Sequence, residues 1–134
     1  MSLTNEERKA IVALRKQKAW KTLKEAEGIA SLGYWDAVAN RLYYACFYMT
    51  SALLLHHGYE ANTHRGVIHL LGLHFIKAGR ISVEMGKLYI KLYELRQSSD
   101  YDELIYLEEK DVRPLLVQGR EYLEEIEKLI RESD

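Results

Sequence analysis

The fold is decided by residues 34–57, which read YWDAVANRLYYACFYMTSALLLHH. Apolar side chains recur through this stretch at helical spacing and occupy nearly every face of the helix. A helix that is apolar all round lies at the centre of a bundle, and Gly58 is a suitable residue to end it. The stretch therefore predicts a buried central helix.

The residues before the central helix predict a long amphipathic helix over about 4–31. Thr4 and Asn5 are both suitable N-caps, and Glu7 is placed to complete a capping box. Gly33 marks the end of this first helix. The two long helices are therefore joined by a short connection.

The residues after the central helix predict two further helices. The third begins after an N-cap at Asn62 or Thr63 and extends to about residue 78, and the fourth runs over about 82–96. Residues 98–100, which read Ser-Ser-Asp, favour a turn because their side chains compete for backbone hydrogen bonds. The fourth helix is therefore expected to end before them.

The last helix is placed with Asp111 as its N-cap. This start puts Pro114 in the first turn, where its missing N–H does no damage. Residues 101–110, which include Tyr106, are then a loop or an extra helical turn. No segment alternates with the period of a strand, so the sequence predicts an all-α protein, a helical bundle.

Length and composition indicate one domain over residues 1–134. A chain of 134 residues buries enough surface to fold without disulfides, and its single cysteine, Cys46, rules out an internal one. No apolar stretch approaches the roughly 20 residues of a membrane span. Residues 1–30 are too charged for the apolar centre of a signal peptide, so a cytoplasmic protein is expected.

The net charge of −1 hides a gradient along the chain. Residues 1–24 hold seven Lys or Arg against two Glu, whereas residues 99–134 hold five basic residues against twelve acidic ones. Such asymmetry is typical of a basic face for nucleic acid and an acidic face for a partner protein. It is equally typical of the solvated faces of two amphipathic helices.

Several common chemistries are absent from the sequence. Neither GxxxxGK[ST] nor GxGxxG occurs, which excludes the usual phosphate-binding loops. No HExxH occurs, and we expect no metal and no cofactor. Cys46 lies in the most apolar helix and is interpreted as a buried thiol. The five histidines are interpreted as surface or packing residues: His56, His57, His64, His69 and His74.

A first polar constellation lies in the central helix. Arg41, Tyr44 and Tyr48 follow each other at i, i+3 and i+7, and so share one face. A buried arginine is costly unless it is paired. Arg41 is therefore either bridged to an acid, with Glu94 or Asp100 as candidates, or lines a cleft where it binds a phosphate.

A second constellation is Arg96-Gln-Ser-Ser-Asp100-Tyr101, at the end of the fourth helix. A guanidinium here can clamp a phosphate, while Tyr101 can donate a hydrogen bond or stack on a base. The structural alternative is a helix-end arginine that interacts with the terminal carbonyls and with Asp100. Spacing alone leaves both interpretations open.

Taken together, these motifs resemble the small stand-alone HEPN domains of bacteria and archaea. The resemblance covers roughly residues 10–130 and rests on an ordered series of motifs: NRLYYACF at 40–47, Gly58, THRGV at 63–67, Phe75, and Arg96-x-x-x-Asp100-Tyr101. It implies an up-and-down bundle of four or five helices with a long antiparallel helix pair. It also implies a homodimer and a minimal nucleotidyltransferase as partner.

The resemblance further implies two activities. Many relatives are metal-independent ribonuclease toxins that use an Arg-x(4-6)-His motif, and Arg96 aligns with its arginine. In the branch paired with a nucleotidyltransferase, a tyrosine of the equivalent loop accepts AMP and the toxin is silenced. Tyr101, and after it Tyr106, is the candidate for that modification here.

This sequence departs from the ribonuclease motif, because no histidine stands four to six positions after Arg96. Asp100, Tyr101 and Asp102 stand there instead. Cleavage needs a group that accepts the 2′-OH proton, and tyrosine, with an unperturbed pKa near 10, is a poor base. Whether the protein is an enzyme therefore stays open.

Three functional hypotheses follow. The leading one is a nucleotide- or RNA-binding protein of a toxin–antitoxin-like pair, with a phosphate site formed by Arg41, Tyr44, Tyr48, Arg96 and Tyr101. The second is a ribonuclease that uses Arg96 with Asp100 or Tyr101, and the third is a non-catalytic module for protein interaction. The candidates for the dimer interface are Trp20, Trp35 and Tyr59.

Overall fold

The computed structural model describes residues 2–102 and 106–132, and this part of the chain contains helices and no strand. The prediction of an all-α bundle is confirmed. The five helices are α1 (Asn5–Ala30), α2 (Trp35–His56), α3 (His64–Leu71), α4 (Val83–Tyr101) and α5 (Glu109–Glu132), and α3 continues into a π-helical turn, Gly72–Ile76. None of the helices described is long and apolar enough to cross a bilayer.

Helices α1 and α2 form the expected long antiparallel pair. Arg15 of α1 donates a hydrogen bond to the Ser51 carbonyl near the end of α2, 3.3 Å away. Glu25, ten residues later in α1, lies 3.8 Å from the guanidinium of Arg41 near the start of α2. Later residues of α1 therefore contact earlier residues of α2, which makes the two helices antiparallel.

Helices α4 and α5 complete the bundle around α2. Asn40 of α2 contacts Asp100, and Tyr44 contacts Arg96, so α4 runs antiparallel to α2. Helix α5 runs antiparallel to α1, because the Trp20 indole donates to Glu127 and Arg120 donates to Glu27. The topology is up-and-down, as the resemblance implied.

The central position of α2 makes its inward side chains the core of the molecule. Tyr43, Tyr89 and Tyr122 are fully buried there, beside Cys46 and Thr50. The Thr50 hydroxyl lies 2.7 Å from the Cys46 carbonyl and 2.7 Å from the Tyr122 hydroxyl. Burial raises the pKa of the Cys46 thiol, as expected for a structural cysteine.

The predicted helix ends are partly confirmed. Thr4 and Glu7 form the capping box of α1. Thr63, and not Asn62, caps α3 by accepting a hydrogen bond from the Gly66 N–H. Gly58 ends α2 with φ of +84°, a conformation that glycine adopts readily, and the Tyr59 N–H then returns to the Leu54 carbonyl.

The predicted end of α4 is wrong. Helix α4 continues to Tyr101, and the expected turn at 98–100 is helical, with the Asp102 N–H bonded to the Ser98 carbonyl. Asp100 accepts a hydrogen bond from Asn40 and lies near Arg96. These contacts with α2 and within α4 favour the helix over the local turn preference of Ser-Ser-Asp.

The predicted start of α5 is also wrong, by a few residues. The helix begins at Glu109, so Pro114 lies in its second turn. Asp111 lies in the first turn, where its carboxylate accepts a hydrogen bond from the Glu108 N–H. Of the segment 101–110, predicted as a loop or an extra helical turn, Tyr101 is the last residue of α4, residues 106–108 lie outside the helices, and residues 109–110 begin α5. Residues 103–105 lie outside the described residues.

Candidate functional site

The site is organised around Arg96, a charged residue on the inner face of α4. The buried residues of α4 are Gly86, Tyr89, Leu92 and Arg96, at the three- and four-residue spacing of one helix face. Arg96 is only 5% exposed. The packing of α4 on α2 therefore inserts a guanidinium into the edge of the core.

The guanidinium of Arg96 lies among tyrosines. Its Nη1 donates a hydrogen bond to the Tyr44 hydroxyl at 3.1 Å and lies 3.7 Å from the Asp100 carboxylate. Its central carbon is 5.3 Å from the ring centroids of Tyr43 and Tyr44 and 5.7 Å from that of Tyr101. Its Nε is buried and has no partner among the described residues. The cation is therefore held by aromatic faces and only partly hydrogen-bonded.

Arg41 lies beside this cluster. Its Nε and Nη2 donate to the Asn40 side-chain oxygen at 3.1 and 2.9 Å, and its guanidinium is 5.3 Å from the Tyr44 ring. Among the described residues, the acid that pairs with Arg41 is Glu25, 3.8 Å away, so the expected bridge to Glu94 or Asp100 is wrong. The antiparallel packing of α1 on α2 brings Glu25 to this position.

Asn40 connects the two arginines. Its Nδ2 donates to Asp100 at 3.0 Å while its Oδ1 accepts from Arg41. A surface cavity of about 370 Å³ opens at this point, lined by Ile29, Asp36, Ala37, Asn40, Arg41, Ser99 and Asp100. The Ser99 hydroxyl is buried and has no partner in the described structure. The cavity thus gives access to the polar end of the Arg96 cluster.

Tyr48 lies apart from the other predicted phosphate ligands. Its ring centroid is 6.0 Å from that of Tyr44, but it lines a separate cavity of about 280 Å³ with Arg15 and Lys18. The Lys18 ammonium lies 4.7 Å from the Tyr48 ring. The structure therefore groups Arg41, Tyr44, Arg96, Asp100 and Tyr101, and places Tyr48 on the side of the basic helix α1.

His64 is a residue of the site that sequence reasoning missed. Its Nδ1 lies 2.6 Å from the Tyr43 hydroxyl, and its ring centroid is 5.5 Å from that of Tyr43 and 5.9 Å from that of Tyr44. These are the two rings that contact Arg96. Burial, and then the charge of Arg96, lower the pKa of His64, so the imidazole is neutral near pH 7. The only signal in the sequence was the THRGV stretch.

The tight turn before α3 positions His64. Thr63 caps the helix, so His64 is its first residue and its ring turns towards α2. A Cβ atom on Gly66 would lie 2.9 Å from the Ala61 Cβ and 3.0 Å from the Thr63 Oγ1. Only glycine fits at position 66 without a shift of the turn.

The candidate tyrosines for modification are both accessible. Tyr101 is 73% exposed at the end of α4, and Tyr106 is 80% exposed before α5. Of the two, Tyr101 is the one whose ring contacts Arg96. Within the described residues, no three His, Cys, Asp or Glu side chains come together as a set that could bind a metal.

The three candidate interface aromatics are half-buried by neighbours in the same chain. Arg120 lies over the Trp20 ring, and Arg113 lies over the Trp35 ring. Tyr59 stacks on His74, with ring centroids 4.0 Å apart and planes 9° from parallel. Their role at an interface stays a prediction.

Comparison with known proteins agrees with this fold. The HEPN domain family matches residues 12–131 of this chain. A UPF0332 protein of Thermotoga maritima is 34% identical over 126 residues, which are 94% of this chain and 96% of that protein. The protein named "Putative toxin MJ0142", from Methanocaldococcus jannaschii, is 31% identical over 114 residues, 85% of this chain and 78% of that protein. "Putative toxin MJ0605" from the same organism is 35% identical over 99 residues, 74% of this chain and 72% of that protein.

Proposed function

The chain belongs to the HEPN family, and on that premise we propose that it binds RNA at Arg96 as the helical member of a toxin–antitoxin-like pair. Two of its relatives carry the word toxin in their names. The partner in this proposal is a minimal nucleotidyltransferase. The RNA ligand, and the ATP that the nucleotidyltransferase uses, are both cytoplasmic, so we propose a cytoplasmic location for the protein.

The observation that carries the proposal is the incomplete pairing of Arg96. A guanidinium has five N–H donors, yet the described residues supply this one with the Tyr44 hydroxyl and a carboxylate 3.7 Å away. Burying a cation that is only partly paired destabilises a folded protein, and a bound anion would supply the missing acceptors. Phosphate oxygens are the acceptors that match its planar geometry best.

The surroundings of Arg96 favour RNA over a free phosphate ion. Tyr101 covers the guanidinium from the exposed end of α4, and an aromatic face in that position can stack on an unpaired base. Arg41 and Asn40 line the adjoining cavity and can hold a neighbouring phosphate. Single-stranded RNA offers both the splayed base and the successive phosphates that such a site needs.

The proposal is tested by RNA binding in solution. We would titrate a fluorescein-labelled single-stranded oligoribonucleotide with the wild type and with Arg96→Met, and follow fluorescence anisotropy. A charge-assisted hydrogen bond to phosphate contributes about 1.5–3 kcal/mol, so the variant is expected to bind about 10-fold to 100-fold more weakly. Affinity should also fall with added salt, because bound cations release counterions from RNA.

A matched control comes from Arg120, a partly exposed arginine of α5 that pairs with Glu27. Arg120→Met removes the same charge from a residue that contacts Glu27 and Trp20, neither of which contacts Arg96, and should leave the affinity unchanged. AMP and ATP added as competitors would reveal whether a mononucleotide suffices. Equal binding by the wild type and Arg96→Met would refute the proposed site.

We further propose that Tyr101 accepts AMP from the nucleotidyltransferase partner. In that step the Tyr101 oxygen attacks the α-phosphorus of ATP, the phenol loses its proton and pyrophosphate leaves. The exposed ring makes the hydroxyl reachable, and Arg96 lies close enough to neutralise the incoming phosphate. Modification at this position would block the RNA site.

Intact-mass analysis after co-expression with a minimal nucleotidyltransferase tests this step. The expected result is a gain of one AMP that Tyr101→Phe abolishes and Tyr106→Phe does not. An unchanged mass beside an active partner, or modification that persists in Tyr101→Phe, would refute the assignment.

We propose a homodimer as the working unit. Large apolar side chains stay exposed on the single chain, including Leu14 and Val117, each 63% exposed. Light scattering on the purified protein should give twice the mass of one chain. A monomer at micromolar concentration would reject this part of the proposal.

A further inference from the structure

We propose that the cavity beside Tyr48 binds a small aromatic carboxylate. This cavity has a volume of about 280 Å³ and is lined by residues of α1, α2, α3 and the turn that joins α2 to α3. It shares no lining residue with the cavity beside Arg41. The carboxylate site is therefore separate from the proposed RNA site at Arg96.

The inner lining of the cavity is apolar and aromatic. Leu54 and Val67, which are both buried, line it together with Phe47 and Tyr48. The ring centroids of Phe47 and Tyr48 are 5.8 Å apart, and the ring planes are inclined at 63°. Two rings at this angle allow a third flat ring to stack on one and to meet the edge of the other. The lining therefore favours a ligand with a planar apolar body.

The turn between α2 and α3 supplies a further wall, which is fixed by its own contacts. Gly58 reverses the chain with φ of +84°, and the Tyr59 N–H then bonds to the Leu54 carbonyl at 2.8 Å. The Tyr59 ring stacks on His74. This wall is in place without a ligand, so binding requires little ordering of the chain.

The charged residues of the lining leave one net positive charge. Arg15 and Lys18 are the cations, and Glu60 is the acid. The Arg15 guanidinium lies 2.5 Å from the Glu60 carboxylate and also donates a hydrogen bond to the Ser51 carbonyl at 3.3 Å. Arg15 and Glu60 therefore neutralise each other, and the unbalanced charge is that of Lys18.

Lys18 is the cation that a ligand can use. Its ammonium lies 4.7 Å from the centroid of the Tyr48 ring and pairs with no carboxylate among the described residues. The side chain is exposed, so water hydrates the ammonium in the free protein. A ligand carboxylate can replace that water with a charge-assisted hydrogen bond while the ring of the ligand enters the cavity.

Size and charge together define the class of ligand. Cavities that bind drug-sized molecules have volumes of about 300–1,000 Å³, so this smaller cavity suits a ligand of one or two rings. One net positive charge matches a monoanion such as a carboxylate. A phosphate monoester carries a charge of about −1.5 to −2 at pH 7, which the lining does not balance. The aromatic carboxylate therefore fits better than a mononucleotide.

The test uses indole-3-acetate as the probe and indole-3-acetamide as its neutral counterpart. Each is titrated into the protein and followed by proton–nitrogen correlation NMR, which also shows that the protein is folded. We expect indole-3-acetate to bind with a Kd of roughly 0.1–1 mM, as is usual for a ligand of this size, and to shift the amide signals of Tyr48, Tyr59 and Ala61. The acetamide should bind about 5-fold more weakly or worse.

Three variants test the role of charge. Lys18→Met should weaken the binding of indole-3-acetate about 5-fold to 10-fold and leave the binding of the acetamide unchanged. Glu60→Gln removes the acid that neutralises Arg15 and should strengthen the binding of indole-3-acetate about 2-fold to 5-fold. Lys24→Met is the matched control, because Lys24 is an exposed lysine of α1 that does not line the cavity. It should leave both affinities unchanged.

Four contrary results would each overturn the proposal. The first is the absence of saturable shifts at indole-3-acetate concentrations up to about 10 mM. The second is a set of shifts confined to residues away from the cavity. The third is equal affinity for the acetate and the acetamide, which would remove the role of Lys18. The fourth is tighter binding of AMP in the same cavity, which would make the ligand a nucleotide.

Discussion

Arg96→Met is expected to leave the protein as stable as the wild type, or more stable, while it weakens RNA binding about 10-fold to 100-fold. The side chains have similar length, so methionine fills the volume at the edge of the core that Arg96 occupies at 5% exposure. If Arg96 were a structural bridge, this change would lower the free energy of unfolding, whereas the loss of a ligand-binding group leaves it level or raises it. The variant therefore separates the two interpretations of Arg96.

The magnitude follows from the contacts of Arg96. The variant loses the hydrogen bond to Tyr44, worth about 1.5–3 kcal/mol, and an i,i+4 pair with Asp100 at 3.7 Å, worth about 0.5 kcal/mol or less. It also loses the cation–π contacts with Tyr43, Tyr44 and Tyr101, worth about 0.5–2 kcal/mol. In return, the variant no longer bears the cost of desolvating a buried guanidinium, which amounts to several kcal/mol. We expect the free energy of unfolding to stay level or rise by about 1–2 kcal/mol.

Urea unfolding followed by far-UV circular dichroism measures this difference, at one protein concentration for both proteins. The unfolding midpoint should stay level or rise at an unchanged slope, and Tm should rise by roughly 3 °C or more per kcal/mol for a chain of this size. Arg41→Met is the companion variant. Its guanidinium is one-third exposed and bonded to Asn40, so a small loss of at most about 1 kcal/mol is expected.

A loss of more than about 2 kcal/mol in Arg96→Met would refute the reasoning. It would mean that Arg96 is a structural bridge between α4 and α2 whose tyrosine contacts stabilise the native fold. The RNA-binding role would then lose the observation that carries it.

Three further predictions concern the core and the histidines. Tyr122→Phe removes the hydroxyl that contacts Thr50 and should lower the free energy of unfolding by about 1 kcal/mol in urea, whereas an unchanged midpoint would show that this bond contributes nothing. Cys46 should not react with Ellman's reagent in the native protein and should react once in urea, because burial raises the pKa of its thiol; rapid native reaction would contradict this. Burial lowers the pKa of His57 and of His64 in the folded state, so the unfolded chain binds more protons below pH 6.5. The urea midpoint should therefore fall from pH 7.5 to 5.5, and a rise would show the sign to be wrong.

Much of the fold could be predicted because its signals are local. The apolar residues of 34–57 predicted the buried central helix, and Thr4 with Glu7 predicted the capping box. Gly58 predicted the end of α2. Each of these depends on residues within one or two helical turns, so the spacing in the sequence is enough to identify it.

The end of α4 shows where local signals fail. Ser-Ser-Asp favours a turn by itself, but Asp100 is held by Asn40 across the interface with α2. The partner acid of Arg41 was missed for the same reason, since Glu25 reaches it only through the packing of α1 on α2. In both cases a contact between helices decided what the local sequence left open.

The sequence by itself determined the helices, the central position of α2 and the candidate status of Arg96, Tyr44 and Tyr101. Only the tertiary structure decided that Tyr48 lies apart, that Glu25 pairs with Arg41, and that His64 joins the cluster. The reason is physical. Helix periodicity reports which side chains share a face of one helix, whereas the register between helices comes from the packing of whole faces, and no spacing along the chain encodes it.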